Sequence, residues 1–238
     1  MPFFTESSGF PLQFAARRDK EMHGAMSQWY RKQVWTQEAE KDFFLHWARS
    51  KTEYNKAQYL KIQAFTLYDT HNKKYFDAIL SLLHKYFNDF PNEQFFRGAC
   101  LHLYGRVFYD RKMYDTAFDY YQKAAYQEIN YPNVISGAWL DYAQIVVRLK
   151  RAGHYEEAEE IIQTHYSSLI FPIEIYRASA VLAIIHHERG DHENACRYKR
   201  SANEAALMEK SALRYHSDIG LVFKKDRFLE KAMKKIVL

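Results

Sequence analysis

The sequence predicts an all-α protein, a series of antiparallel helix hairpins with an N-terminal helical extension. Only 8 glycines and 5 prolines occur among 238 residues. Such a scarcity of turn-forming residues suits long helices with short connections better than a β-sandwich or barrel. Hydrophobic residues make up 47% of the chain and aromatic residues 17%, which is enough for a core. A repeated helix–turn–helix pattern then sets the order of the elements.

Residues 1–54 are predicted to form an N-terminal arm followed by helices. The segment before Arg17 has no basic stretch and no long apolar run, so we expect an irregular arm and no secretory signal. Helices are expected at Arg17–Val34, at Thr36–Ser50 and at Asn55–Thr70, where the repeat region begins. Apolar side chains recur at helical spacing along the second of these, so it should present one face to a core.

The clearest repeat unit is Leu101–Ala124, which reads LHLYGRVFYDRKMYDTAFDYYQKA. Its pattern predicts a helix, a tight turn and a second helix. The small residues Gly105 and Ala117 would let the two helices approach closely, and the aromatic side chains would fill the space beside them.

The phase of this unit recurs along the chain. We call the first residue of each predicted second helix its anchor. Four anchors are spaced by 39, 41 and 37 residues, and an alanine follows each of them three residues later. A fifth, weaker anchor comes 36 residues after the fourth. Turns are therefore expected near Asn72, Lys112, Gly153 and Gly190. The anchors are Tyr75, Tyr114, Tyr155, His192 and Phe228, and the alanines, expected to be buried at helix contacts, are Ala78, Ala117, Ala158 and Ala195. Three prolines keep the phase, each predicted to end a second helix: Pro91, Pro132 and Pro172.

This pattern resembles the tetratricopeptide repeat (TPR) family. The resemblance covers roughly Gln58 to Leu238, although the period of 36–41 residues exceeds the family's usual period of about 34. It implies a right-handed α-solenoid in residues 55–238, with about four repeats and a C-terminal capping helix. The matching positions are Leu101, Tyr104, Gly105, Phe108, Tyr114, Ala117, Tyr121 and Ala124, with Gly153, Tyr155, Ala158, Gly190, Ala195 and Ala202 in poorer copies.

Solenoids of this kind bind partners in a concave groove lined by the first helix of each repeat. The resemblance therefore implies a protein-interaction module, and the mixed basic and apolar groove fits a peptide or helix with some acidic residues. The family's Lys/Asn/Arg clamp for a C-terminal carboxylate is absent, so a chaperone tail is not expected. The alternative is that these positions form an ordinary solvated surface. The groove positions are His102, Arg106, Tyr109, Gln144, Lys150, Arg177 and His187, with Val147 and Ile184 in the same phase.

The stretch Ala183–Cys196, AIIHHERGDHENAC, contains three histidines that suggest a metal site. The repeat register instead places His186 and His192 where aromatic core residues fall elsewhere, which predicts packing histidines. The zincin motif needs a second histidine four residues after the first, whereas His187 is followed by His192 across a turn. We therefore predict no metal and no cofactor.

No enzyme signature is present in the sequence. A Gly-rich phosphate loop, a GxSxG motif and zinc-type cysteine spacing are all missing, so we predict a non-enzymatic protein. Cys100 and Cys196 lie far apart and are expected to be buried free thiols of a cytoplasmic protein. No run approaches about 18 uninterrupted apolar residues, so no transmembrane segment is predicted.

The net charge of +5 is concentrated at the C-terminus, where the last fifteen residues carry +4 and the rest of the chain +1. A nucleic-acid-binding protein usually has a broader basic surface, so this function is an alternative rather than the favoured one, as is a peptide-sensing regulator. The C-terminal tail, Phe223–Leu238, is predicted to be an amphipathic helix that caps the last repeat. Its alternative role is to bind an anionic surface, either a membrane or an acidic partner.

Overall fold

The computed structural model describes residues 28–131 and 136–237, and these ranges contain helices and no strand. The all-α prediction is confirmed. Two short 3-10 helices, Lys73–Tyr75 and Ala152–His154, lead into α3 and α7. Within the described ranges, no helix has the length and apolar character needed to cross a membrane. The α-helices are α1 (Gln37–Ala48), α2 (Glu53–Tyr68), α3 (Phe76–Asp89), α4 (Arg97–Asp110), α5 (Tyr114–Asn130), α6 (Ala138–Arg148), α7 (Tyr155–Tyr166), α8 (Pro172–Glu188), α9 (His192–Ala205) and α10 (Arg227–Met233).

Polar side chains fix the starts of several helices. Thr36 Oγ1 accepts a hydrogen bond from the Ala39 amide at 3.2 Å, and Asp191 Oδ1 accepts one from the Asn194 amide at 3.2 Å. Such caps satisfy amides that have no partner within the helix. Pro172 was expected to end a helix but begins α8 instead, because the first turn of a helix needs no proline N–H.

The other two phased prolines differ in outcome. Helix α3 ends at Asp89, two residues before Pro91, as predicted. Pro132 lies outside the described residues.

The expected helix at Arg17–Val34 is wrong where the structure describes it. Residues 28–34 form turns and bends, and residues 17–27, like the predicted arm, lie outside the described ranges. The Gln63 side chain accepts from the Lys32 amide at 2.9 Å and donates to the Lys32 carbonyl at 2.7 Å. This side-chain bridge pairs backbone groups that a helix would have used. The next two predicted helices are confirmed as α1 and α2.

The chain divides into two compact units, with the boundary between Ala138 and Trp139. We call the described parts the N-terminal unit (28–138) and the C-terminal unit (139–237). The boundary predicted after residue 54 falls inside α2, and both α1 and α2 belong to the N-terminal unit.

The N-terminal unit contains two helix hairpins, α2–α3 and α4–α5, with α3 packed against α4. Gly105 of α4 faces the ring of Tyr121 on α5, and a Cβ at Gly105 would lie 2.3 Å from Tyr121 Cδ1. Ala117 of α5 is completely buried. The close approach predicted from these two small residues is confirmed.

The C-terminal unit also consists of hairpins: α6 and α7 are joined by a short turn, and α8 packs against α7, α9 and α10. Turns occur near Asn72, Lys112, Gly153 and Gly190, as the repeat phase predicts. Three of the four phased alanines are completely buried, whereas Ala78 is only half-buried.

The C-terminal tail forms a shorter helix than predicted, since α10 covers only seven residues. Asp226 begins α10 by accepting from the amides of Phe228 and Leu229 at 2.8 and 3.0 Å. Because Asp226 caps the start of α10, the residues Phe223, Lys224 and Lys225 lie before the helix. The apolar side of the tail is nevertheless buried, through Leu229, Met233 and Ile236.

Candidate ligand pocket in the C-terminal unit

Three of the predicted groove residues lie in the N-terminal unit and pack against aromatic rings. His102 is buried, with its ring 5.6 Å from that of Tyr121. The Arg106 guanidinium lies 4.3 Å over the ring of Tyr68, and Tyr109 meets the edge of Tyr114 at 5.3 Å. These side chains are engaged within their own unit.

Arg106 also belongs to an electrostatic group in the N-terminal unit. The Tyr68 hydroxyl donates to Asp110 Oδ2 at 2.8 Å. Burial raises the pKa values of Asp69 and Asp110 above the usual range, and the positive charge of Arg106 opposes both shifts. Arg106 is therefore an electrostatic partner of two partly buried carboxyls.

Two further groove residues, Gln144 and Arg177, belong to a buried polar network in the C-terminal unit. Arg177 Nη2 lies 2.5 Å from Asp141 Oδ1, and Arg177 Nε donates to Gln144 Oε1 at 2.7 Å. Gln144 Nε2 in turn donates to Asp226 Oδ2 at 3.1 Å. Arg177 is only 8% exposed, so the network directs its charge into the protein.

The same network holds α10 against α6 and α8. Arg148 Nη2 of α6 lies 3.3 Å from Asp226 Oδ2, and its guanidinium lies 4.7 Å over the Phe228 ring. The Tyr176 hydroxyl of α8 donates to Glu230 Oε1 at 3.0 Å. Charge, hydrogen bonding and apolar burial thus all position α10.

The last two groove residues, Lys150 and His187, come together at a pocket of about 210 Å³, which we call the tail pocket. It lies where the C-terminal ends of α6 and α8 meet α10. Val147 and Ile184, predicted in the same groove phase, line it too. The complete lining is Val147, Lys150, Ile184, His187, Glu188, Phe228, Lys231, Ala232 and Lys235.

The tail pocket combines an apolar floor with a basic rim. Lys150, Lys231 and Lys235 are exposed at the rim, and among the described residues no carboxylate pairs with any of them. His187 Nδ1 is buried and has no hydrogen-bond partner in the described part of the chain. The pocket is suited to a group that is apolar at one end and negative at the other.

Five lining residues were not predicted as site residues. One is Glu188 of α8, and the other four belong to the tail, namely Phe228, Lys231, Ala232 and Lys235. The sequence signal they carried was the amphipathic tail, which predicted a cap. Amphipathicity alone does not show that one edge of a cap also forms a pocket wall.

A larger depression of about 570 Å³ is lined by acidic residues of α7 and by Arg189. Arg189 already lies 2.5 Å from Glu159 Oε2 in an ion pair. In this acidic depression the cation is already paired and the lining residues are all polar. The tail pocket is therefore the better candidate site.

In the histidine-rich stretch, the predicted burial is found for His186 but not for His192. His186 is buried, lies 3.0 Å from Asp191 Oδ2 and stacks on Tyr198 at 5.3 Å. Its Nε2 lies 3.2 Å from Glu159 Oε1, an ion-pair distance without hydrogen-bond geometry. His192, the first residue of α9, is exposed and is therefore not a core residue, although its ring lies 6.3 Å from that of His187 across the turn. The described residues hold no His, Cys, Asp and Glu group arranged to bind a metal.

Two comparisons with known proteins give no relative from which a function could be transferred. A scan against protein-family models finds no match, and a search of curated proteins finds none either. The function is therefore inferred from the fold and the tail pocket.

Proposed function

We propose that this chain is a protein-interaction module that binds a peptide or helix of a partner protein at the tail pocket. One observation carries the proposal: the pocket brings together Lys150 and Val147 of the α6 end with His187 and Ile184 of α8. All four are predicted groove positions, and they belong to two consecutive first helices of the predicted repeats. Binding pockets generally join an apolar surface to a few convergent polar groups, and this one does so.

The volume of the tail pocket limits the size of the ligand that it can enclose. At about 210 Å³ it is smaller than the pockets of roughly 300–1,000 Å³ that enclose drug-sized ligands. It suits one or two side chains of a longer segment, with the rest of that segment lying across the neighbouring surface. A peptide with an apolar residue next to acidic residues matches both the floor and the rim.

The proposal includes the finer architecture and setting implied by the sequence. The hairpins are TPR-like repeats of a right-handed solenoid, about four in residues 55–238, and the protein is cytoplasmic and not an enzyme. The repeat phase, the buried alanines and the contact between Gly105 and Tyr121 support the repeats. Two free cysteines, Cys100 buried and Cys196 half-buried, are consistent with a reducing compartment.

Selection of peptides from a random display library against the full chain tests this function. Selected peptides would be labelled and their affinities measured by fluorescence anisotropy for three proteins: the natural chain, Lys150→Glu and Lys210→Glu. Lys210 is an exposed lysine of the same unit that does not line the pocket, so it controls for the change in net charge.

We expect Lys150→Glu to weaken binding roughly tenfold, or about 1.4 kcal/mol, and Lys210→Glu to change it little. Binding that is equally strong in both variants would place the interaction elsewhere. A library that yields no binding peptide would argue against the interaction module itself.

A further inference from the structure

We propose that the tail pocket anchors an acidic side chain of the partner peptide, and that the C-terminal tail is half of this site. The proposal rests on the proposed function and specifies its ligand chemistry. It also changes the role of the tail from a passive cap to a part of the binding surface.

The charges around the pocket are the first support. Lys150 comes from the turn after α6, and Lys231 and Lys235 come from the tail. Glu188 is the acid in the lining, so the lining carries a net charge of +2 with His187 neutral. Positive charges that converge on a small concavity attract a carboxylate, and the apolar floor strengthens the attraction by lowering the local dielectric.

His187 provides the second and independent support. Its ring lines the pocket beside the rim lysines. A histidine ring nitrogen can donate a hydrogen bond to a carboxylate oxygen. Charge-assisted hydrogen bonds of this type are stronger than those between neutral groups.

The chemistry of the lining favours a carboxylate over a phosphate. Planar bidentate recognition of phosphate usually uses arginine, and this lining contains lysine but no arginine. The apolar floor, which includes Ile184 and Phe228, matches the aliphatic stem of a glutamate and a neighbouring apolar side chain. The same apolar floor has no polar group that could replace the water bound to a phosphate dianion.

The tail contributes Phe228, Lys231, Ala232 and Lys235, so the complete pocket exists only when α10 is docked. Beyond α10 the tail is held by two contacts from α9. Lys199 Nζ donates to the Ile236 carbonyl at 2.7 Å, and Cys196 Sγ donates to the Val237 carbonyl at 3.0 Å. A ligand that contacts both walls stabilises the docked tail, and by linkage an undocked tail weakens binding.

The test uses the full ¹⁵N-labelled chain and two matched dipeptides, acetyl-Leu-Glu-amide and acetyl-Leu-Gln-amide. They have nearly the same shape and differ in one negative charge. For ligands this small we expect affinities around the millimolar range. The glutamate dipeptide should perturb amide signals at the ends of α6 and α8 and in α10, and should bind about fivefold more tightly than the glutamine dipeptide.

Two double variants test whether the preference for glutamate depends on the tail lysines that line the pocket or on positive charge in general. Lys231→Gln/Lys235→Gln should remove the preference for glutamate, whereas Lys210→Gln/Lys234→Gln should keep it. The second pair consists of exposed lysines outside the lining, with the same loss of charge.

The reactivity of Cys196 reports docking of the tail independently of affinity. The glutamate dipeptide should slow labelling of Cys196 by a thiol reagent, because a docked tail keeps its Sγ bonded to the Val237 carbonyl. Cys100 does not interfere, since it is completely buried and burial raises the pKa of its thiol.

Equal affinities for the two dipeptides would overturn the carboxylate assignment, and so would tighter binding of acetyl-Leu-phosphoserine-amide, which would indicate a phosphopeptide. Labelling of Cys196 that does not respond to the bound ligand would overturn the role of the tail. In each case, library-selected peptides that still lose affinity on Lys150→Glu would leave the proposed function standing. If neither dipeptides nor library peptides bind, both the inference and the proposed function fail.

Discussion

Replacing Gly105 by alanine tests the closest helix approach in the N-terminal unit. A methyl group at this position would lie 2.3 Å from Tyr121 Cδ1 and 2.5 Å from Cε1, far inside van der Waals contact. Tyr121 is only 4% exposed, so its ring cannot move out into solvent. Either α4 and α5 must separate or the ring must adopt a strained rotamer.

The expected cost follows from two opposing terms. Alanine in place of glycine stabilises a helix interior by about 1 kcal/mol. Overpacking a filled core costs about 1–3 kcal/mol, and a clash with the ring itself rather than with a flexible chain end belongs in the upper part of that range. The net effect of Gly105→Ala should be a destabilisation of about 1–2 kcal/mol.

Gly98→Ala is the matched control on the same helix. A Cβ there would meet Gln127 Cγ at 3.4 Å, an ordinary contact, so this variant should be neutral or up to about 1 kcal/mol more stable. Urea denaturation followed by circular dichroism compares the two variants with the natural chain. If Gly105→Ala is as stable as Gly98→Ala, the close packing between α4 and α5 is not as described.

Three further predictions concern stability. Truncation after Leu221 removes the buried apolar side of the tail and should lower the melting temperature, and Leu229→Ala should lower the free energy of unfolding by about 2–5 kcal/mol; an equally stable truncated chain would contradict the capping role. Arg177→Met removes the buried ion pair to Asp141 and the hydrogen bond to Gln144, and it should cost about 3–5 kcal/mol in chemical denaturation; a loss below about 1 kcal/mol would contradict the contribution of this network to stability. Burial raises the pKa of Asp110 above its ordinary 3.8, so the folded chain holds this proton more tightly than the unfolded chain. Stability should therefore fall as pH rises from 3.8 through the raised pKa, and Asp110→Asn should flatten this part of the pH profile.

Local chemistry determined much of the fold. Helix starts depend on caps such as Thr36 and on the residues of the next turn, and these are neighbours in the sequence. The turns near Lys112 and Gly190 follow from the repeat phase, since a hairpin must reverse at a fixed place in each unit. The repeat phase also predicted, from the sequence alone, that Gly105 lies at a close approach between two helices, and in the structure it faces Tyr121.

The errors occurred where a distant side chain or a single cap outweighed the local pattern. The segment before Trp35 was predicted as helix, but Gln63, 31 residues further along the chain, pairs with the Lys32 backbone. Asp226 starts α10 later than the amphipathic pattern indicated. His192 occupies an aromatic phase but lies on the exposed side of the first turn of α9.

The candidate site depended most on tertiary structure. The sequence predicted Lys150 and His187 as groove positions because both follow the phase of the first helices. It did not show that Arg177 would be buried against Asp141, because such burial depends on a partner 36 residues away. Nor did it show that Lys231 would meet Lys150 and His187 at one pocket. Periodicity describes what each helix exposes, whereas a pocket depends on which exposed faces meet, and here the docking of α10 decided that.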